Sequence, residues 1–281
     1  MYKIIKKENL NPTVTKMVVE APLVAAKVRA GQFVILRTGE NGERIPLTVA
    51  DYDRSAGTVT VIFQIVGATT EKLNALPEGG YITDFVGPLG RPTETKGLRR
   101  VAVIGGGVGC AIAYPVAKQL REDGAVVHSV VGFRTKDLVI LEDEFRSVSD
   151  KFCLMSDDGS AGEKGLVTDA LRALIESGEK YDEVIAIGPL IMMKFVCLLT
   201  KEYGIRTTVS MNPIMIDGTG MCGGCRLTVG GEVKFACVDG PDFDGHLVDF
   251  DEAMKRGATY RDAERAAHEH VCNLIGKGGD R

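Results

Sequence analysis

Three cysteines crowd into one stretch of the chain. They stand in the run Asp217-Gly-Thr-Gly-Met-Cys222-Gly-Gly-Cys225, with Cys237 further on. Thiolates are soft metal ligands, and plant-type 2Fe–2S sites use C-x4-C-x2-C with a more distant fourth cysteine. Here Cys222 and Cys225 form the x2 pair and Cys237 supplies the distant thiol, while the first position of the pattern holds Asp217. A carboxylate is anionic and has the reach to ligate iron. It is a harder donor than thiolate, so it shifts a cluster's potential and lability. Asp217, Cys222, Cys225 and Cys237 are the candidate metal ligands. The glycines between them let the backbone run close to the sulfurs and present N–H groups to them. Gly230–Gly231, inside Leu227 to Phe235, predicts a hairpin turn that returns Cys237 to the site. Structural zinc is the competing reading, with His246 or Asp217 as fourth ligand, because C-x2-C serves both metals. A thioredoxin-like redox pair leaves the third cysteine without a role. Cys110, Cys153, Cys197 and Cys272 lie in apolar or helical contexts and read as small buried hydrophobes.

Glycine turns offer a second chemistry, the binding of phosphate. Val101 to Ile104 is a compact apolar strand, followed by Gly105, Gly106, Gly107, Val108 and Gly109 and then a helical stretch. Such a turn lets a phosphate approach the backbone, and the helix N-terminus behind it offers free N–H groups and a favourable dipole. The match to G-x-G-x-x-G is partial, with Cys110 where the last small residue belongs, and close strand–helix packing asks for the same glycines. Gly188–Pro189 and Asp157-Asp158-Gly159-Ser160 end later strands on the same edge, where open α/β sheets bind ligands. Arg134 follows the second strand in place of an acidic residue. Nearer the N-terminus, Arg44-Ile45-Pro46-Leu47-Thr48 offers a cation and a hydroxyl on a strand. Gly67, Ala68, Thr69 and Thr70 precede a short helix and suit a pyrophosphate. None of His128, His246, His268 or His270 sits in a motif, and no catalytic acid or base is expected.

These residues must be positioned by different kinds of structure. Up to about residue 97, β-branched runs such as Val14 to Glu20 and Gly57 to Val66 alternate with glycine and proline turns, the pattern of an antiparallel barrel. From residue 98 to 210, strands at 101–104, 126–131, 152–155, 183–187 and 206–210 alternate with helices, which means a parallel doubly wound α/β sheet. The remainder, 211–281, is the iron–sulfur segment with a charged helix expected around Ala258–Leu274. The whole is α/β plus β. With 281 residues, 44% hydrophobic and 26% charged, the chain has ample core for two domains and an appendage. A net charge of -4 argues against a nucleic-acid-binding face. Met1 to Asn9 lacks the apolar h-region of a secretory signal. The longest uncharged run, Val101 to Ala117, is too short and glycine-rich for a membrane span. Clustered rather than dispersed cysteines point to the cytoplasm.

The order of these parts resembles the ferredoxin–NADP reductase superfamily: a β-barrel, a parallel sheet opened by GGGxG with a GP turn, then a cysteine segment. Within it the chain is similar to the electron-transfer subunits of dihydroorotate dehydrogenase and of sulfide dehydrogenase. It is most similar to the small-subunit family of NADH-dependent reduced ferredoxin:NADP oxidoreductase, in which Asp accompanies three cysteines. The resemblance spans essentially the whole chain. It implies FAD on the barrel, NAD(H) on the α/β domain and a 2Fe–2S cluster near the C-terminus. By position, Pro46, Leu47 and Thr48 fall on the flavin strand with Arg44 nearby, and Gly67 to Thr70 on the flavin phosphate loop. Gly105 to Gly109 fall on the nicotinamide loop, and Gly188–Pro189 on the superfamily's C-G-P turn, with Ile187 replacing the cysteine. The strand motif departs from the usual R-x-Y-S/T because Ile45 holds the expected arginine's place. The resemblance further implies hydride exchange between NAD(H) and FAD, with electrons relayed one at a time by the cluster. Its expected partner is a larger flavo-iron–sulfur subunit resembling the glutamate synthase small chain, with ferredoxin served indirectly. The reading from another class is a zinc-stabilised nucleotide-binding regulatory module.

Overall fold

The computed structural model describes residues 1–40, 42–260 and 262–267. The first seven strands are β1 (Tyr2–Asn11), β2 (Val14–Glu20), β3 (Phe33–Arg37), β4 (Ile45–Asp53), β5 (Thr58–Gln64), β6 (Tyr81–Ile82) and β7 (Asp84–Leu89). They pair in the order β6-β1-β2-β5-β4-β3-β7, antiparallel throughout. The two ends of that order, β6 and β7, are consecutive in the chain with only Thr83 between them. The sheet therefore curls until its edges meet, giving the expected antiparallel barrel and leaving little free edge. Side chains alternate across a strand, so Met17, Val19, Val34, Leu36, Val59, Val61 and Phe63 fill the barrel. Phe33 and Ile35, out of step with that set, face outward into the neighbouring core. Two short helices, α1 (Pro22–Ala25) and α2 (Ala68–Ala75), interrupt the strands.

Beyond the barrel, β8 (Arg100–Gly106), β9 (Val126–Phe133), β10 (Lys151–Ser156), β11 (Glu163–Lys164), β12 (Glu183–Ile187) and β13 (Thr207–Ser210) alternate with helices. The helices are α3 (Cys110–Glu122), α4 (Glu142–Val148), α5 (Val167–Glu176) and α6 (Leu190–Glu202). After the hairpin of β14 (Arg226–Val229) and β15 (Glu232–Phe235) come β16 (Asp242–Asp244) and α7 (Phe250–Gly257). The second sheet runs β11-β10-β9-β8-β12-β13-β16. Both of its faces are covered, as a parallel sheet requires. Val101 and Val103 of β8 share a core with α3 and α4, whereas Ala102 and Ile104 share one with α5 and α6. Barrel residues Val14, Ala30, Ala50 and Ile62 join the first of these cores, so α3 is gripped between barrel and sheet.

One expectation changes. The segment from 211 does not stand apart from the α/β domain, because β16 pairs antiparallel with β13 and completes the sheet. Ahead of the charged helix expected around Ala258–Leu274, a helix occupies Phe250–Gly257, capped by Asp249, whose carboxylate accepts from the Glu252 N–H at 2.9 Å. Residues 262–267 are also helical; the rest of the expected helix, with His268, His270 and Cys272, lies outside the described residues.

Asp242 on β16 marks the seam where sheet, linker and C-terminal segment meet. Its Oδ2 accepts from Thr93 Oγ1 at 2.5 Å, while Oδ1 is buried without a hydrogen-bond partner. Burial pushes the carboxyl up to about 6, against the pull of Thr93. A carboxyl raised in the folded state binds more protons than in the unfolded one, so its contribution to stability is full below the ordinary carboxyl range. That contribution is lost as pH rises through about 6. Asp242→Asn should therefore gain on the wild type by roughly 3 kcal/mol between pH 4 and 7. Denaturant midpoints across that range test this, and a difference independent of pH would contradict it.

Candidate functional site

Strand order in the second sheet reverses between β8 and β12, which lie side by side while the chain leaves them in opposite directions. Ligands of open α/β sheets bind at such a switch point, outside the carboxyl ends of the strands. A cleft of about 1000 Å³ opens there, between the sheet edge and the barrel residues Asn11, Thr13 and Gln64. Gly106, Gly107, Val108 and Gly109 line it from the end of β8, and Gly188 and Pro189 from the end of β12. Packing demands several of these glycines. A Cβ on Gly109 would stand 2.6 Å from the Ile187 carbonyl oxygen and 2.7 Å from Gly188 Cα. One on Gly106 would stand 2.4 Å from Met192 Sδ. The two readings of the turn thus coincide: tight packing brings the start of α3 onto the strand end, and that places its N-terminus at the cleft. Gly105 is buried behind these residues and does not line the cleft; a Cβ there would stand 2.8 Å from Cys110 Sγ.

Arg134 lines the same cleft from the end of β9, and among the described residues its guanidinium has no ion-pair or hydrogen-bond partner. Asp158 does not line it. Its carboxylate accepts from the Ser160 hydroxyl at 2.6 Å and the Ser160 N–H at 2.9 Å, bonds that hold it below the usual carboxylate range. The neighbouring Asp157 lines the cleft instead. At the far end, Ile191, Phe195 and Leu198 of α6 make an apolar wall. Their i, i+4, i+7 spacing was readable in the sequence.

On the barrel, Pro46 pairs across from Ile35 and Thr48 from Phe33. Those partners face outward, so Pro46 and Thr48 do too, while Ile45 and Leu47 pack against the barrel core. Leu47 therefore offers a ligand its backbone only. The second barrel motif sits beside the first, because the Thr69 hydroxyl donates to the Glu43 carboxylate just ahead of β4. Thr70 closes the start of α2: its Oγ1 accepts from the N–H groups of Val66 and Gly67, each at 3.0 Å. The first helical N–H groups, on Ala68, Thr69 and Thr70, have no carbonyl ahead of them within the helix. Gly67 has open space where a Cβ would point. Arg44, in contrast, turns away from this turn. Its Nε donates to the Ile216 carbonyl at 2.8 Å and its Nη2 to the Asp217 carbonyl at 3.4 Å.

That contact ties the barrel to the cysteine loop. The predicted hairpin is present, with Gly230 and Gly231 at the turn between β14 and β15. It returns Cys237 to Cys225, whose thiol donates to Cys237 Sγ at 3.2 Å. Both are nearly sealed from solvent, at 1% and 3% exposure, and burial pushes the Cys237 thiol up to about 12. Cys222 is exposed, and its Sγ accepts from the Gly224 N–H at 3.4 Å. The Asp217 carboxylate accepts from the Thr219 and Cys222 N–H groups, each at 2.9 Å, and these bonds hold it below its ordinary range. Gly218 adopts φ +78°, and a Cβ there would meet Leu89 and Ile35 at 2.7 and 2.9 Å. The loop therefore lies flat on the outer face of the barrel.

The sequence led us to expect four converging ligands. Among the described residues, no group of three such side chains surrounds a common point; two thiols touch while Asp217 bonds its own loop. The donor set nevertheless fits an iron–sulfur cluster. Three thiols and a carboxylate stand on one loop and its hairpin, and the N–H groups of Gly224 and Cys237 already point at sulfurs, the outer-shell contacts that thiolate ligands use. His246, the alternative zinc ligand, is occupied elsewhere, with Nε2 3.0 Å from Thr200 Oγ1. Cys110 and Cys197 are buried as expected, and Cys153 is half-buried. No helix among the described residues is long and apolar enough to cross a membrane.

Comparison with known proteins agrees with this geometry. Residues 212–249 match the iron–sulfur cluster binding domain of dihydroorotate dehydrogenase B. The electron transfer subunit homolog of dihydroorotate dehydrogenase B (NAD+) from Thermotoga maritima is 48% identical over 277 residues, covering 99% of this chain and 98% of its own length. The corresponding subunit of Fusobacterium nucleatum is 32% identical over 235 residues, covering 80% of this chain and 89% of its own. A chain in the solved structure of the NADH-dependent reduced ferredoxin–NADP oxidoreductase, studied for flavin-based electron bifurcation, is 48% identical with a TM-score of 0.92. The match covers 97% of this chain and 98% of that one. The protein is thus an oxidoreductase electron-transfer subunit with a ferredoxin-reductase-like fold, and it belongs to the family of dihydroorotate dehydrogenase B electron-transfer subunits.

Proposed function

We propose that the chain moves electrons between NAD(H), FAD and a 2Fe–2S cluster on behalf of a larger flavoprotein subunit, as part of an electron-bifurcating ferredoxin:NADP oxidoreductase. The observation that carries this reading is the contact between its parts. The outward face of the flavin strand, the switch-point cleft and the cysteine loop border one another across a single core that contains Phe33, Ile35, Cys225 and Cys237. FAD bound here exchanges a hydride with the nicotinamide and single electrons with the cluster; the protein's share is to hold and tune them.

The residues divide that labour. Gly106 to Gly109 and the start of α3 cradle the nicotinamide dinucleotide's phosphates, Gly188 and Pro189 form the floor, and Arg134 meets the far phosphate or ribose. Of the Asp157-Asp158 pair, Asp157 stands beside the cleft. Pro46 and Thr48 face the flavin, and the N–H groups of Ala68, Thr69 and Thr70 meet its pyrophosphate. Asp217, Cys222, Cys225 and Cys237 hold the cluster. In this reading the cofactors carry the chemistry and no side chain is assigned as acid or base. The partner resembles the glutamate synthase small chain and meets ferredoxin in its stead, in the cytoplasm. The likeness to the oxidoreductase chain supports this choice. The names of the other relatives favour a second reading, service to a dihydroorotate dehydrogenase catalytic subunit; the aspartate in the ligand set weighs against it.

Anaerobically purified protein should display flavin absorbance with about two irons and two sulfides per chain. Zinc without flavin would leave only a nucleotide-fold protein. Cys225→Ala should abolish iron binding while FAD stays bound, measured by iron assay and absorbance on one sample; full iron retention would remove the ligand assignment. Asp217→Cys should keep a cluster but alter its spectrum and lower its potential, since thiolate donates more charge than carboxylate. An unchanged potential in a redox titration would mean that Asp217 is not a ligand.

A further inference from the structure

The cysteine loop has an orderly polarity. Its N–H groups turn inward: those of Thr219 and Cys222 toward Asp217, that of Gly224 toward Cys222 Sγ and that of Cys237 toward Cys225 Sγ. Its carbonyls turn outward, where guanidinium groups receive them. Arg226 donates to Gly223 O at 3.3 Å, Arg256 to Gly224 O at 3.3 Å and Arg91 to Val238 O at 3.1 Å. Arg44 takes Ile216 O and Asp217 O. The Gly223–Gly224 peptide is held from both ends, its carbonyl by Arg226 and its N–H by Cys222 Sγ.

Arg44 differs from the others in where it is rooted and what it holds. It immediately precedes β4, two residues before Pro46 on the strand whose outer face is assigned to the flavin. It spans to the backbone of the one oxygen donor in the ligand set. Among the described residues it has no carboxylate within ion-pair distance, as Arg226 and Arg256 have none, whereas Arg91 lies 4.0 Å from Asp239. Its unneutralised charge therefore stands against the backbone of Asp217. The packing of Gly218 onto Ile35 and Leu89 fixes the next residue of the loop to the same barrel face.

Building on the proposed function, we infer that Arg44 is a positioning residue for the iron–sulfur loop and not a clamp on the flavin pyrophosphate. Its planar fork fixes the peptide that carries Asp217, and its charge raises the potential of the cluster held there. A cysteine in the first ligand position reaches iron without help, because thiolate is the softer and stronger donor. A carboxylate is the more easily displaced ligand, and a rigid anchor on its own peptide counters that loss. An Arg engages two carbonyls at once, which Lys, a single point charge, does not reproduce.

The test compares wild type, Arg44→Ala and Arg44→Lys as purified anaerobically, with FAD, iron and sulfide assayed on each and the reduced cluster followed by EPR and redox titration. Arg44→Ala should retain FAD at the wild-type ratio, lose at least half its iron on brief exposure to chelator, and show an altered EPR line shape and a lower cluster potential. Arg44→Lys should restore the potential toward wild type while remaining chelator-sensitive. Loss of FAD in Arg44→Ala with an unaltered cluster signal would overturn the inference and return Arg44 to the pyrophosphate. Wild-type cluster signal, potential and chelator resistance in both variants would overturn it as well. Wild-type protein that holds neither flavin nor iron refutes the proposed function itself, before Arg44 is in question.

Discussion

The arrangement of this protein depends on one close approach, the packing of Gly109 against the end of β12 at Ile187 and Gly188. No side chain fits between them. Because the two backbones touch, β8 and β12 lie side by side while their helices leave toward opposite faces of the sheet. That divergence is what opens a cleft at the strand ends. The same approach seats α3 so that its far side meets the barrel through Val14, Ala30, Ala50 and Ile62. Cleft and helix N-terminus therefore meet at this contact.

A second seam joins the barrel to the cysteine loop, and it is built differently. The first contact is apolar and tight; this one is a set of charge-assisted bonds from arginines to loop carbonyls over a small apolar footing of Ile35 and Leu89. Hydrogen bonds from a charged donor are stronger than neutral ones and tolerate small displacements better than interlocked side chains. Such a seam suits a loop that must accept an inserted group and respond to its charge. The buried Asp242 sits where sheet, linker and C-terminal segment meet, and its Oδ1 is buried without a hydrogen-bond partner.

Placing the cysteine segment against the outer face of β3 also explains its chemistry. Cys225 and Cys237 share a core with Phe33 and Ile35, whereas Cys222 and Asp217 remain toward solvent. The proposed ligand set thus has a buried thiol pair and a more exposed side that carries the aspartate. Low-dielectric surroundings on one side and a wet, cation-flanked edge on the other are the kind of asymmetry by which a protein tunes a cluster through burial and hydrogen bonding.

Much of this was legible in residue types and periods. Alternating β-branched runs and the βα rhythm determined the barrel and the parallel sheet, because side-chain periods of 2 and 3.6 follow from backbone geometry alone. The spacing of Cys222, Cys225 and Cys237 and the Gly230–Gly231 turn determined the hairpin and suggested the donor set, since both depend on a few neighbouring residues. Side-chain directions and long-range partners were decided only in the folded structure. Asp157 rather than Asp158 faces the cleft because a local Ser160 bond turns the latter away. Leu47 points into the barrel because β4's register on β3 puts odd positions inside. Strand β16 joins the α/β sheet by pairing with a strand more than thirty residues earlier, and Arg44 finds its partners 172 and 173 residues away. Neither juxtaposition leaves a trace in local spacing, because each is fixed by how the domains pack and not by any neighbouring residue.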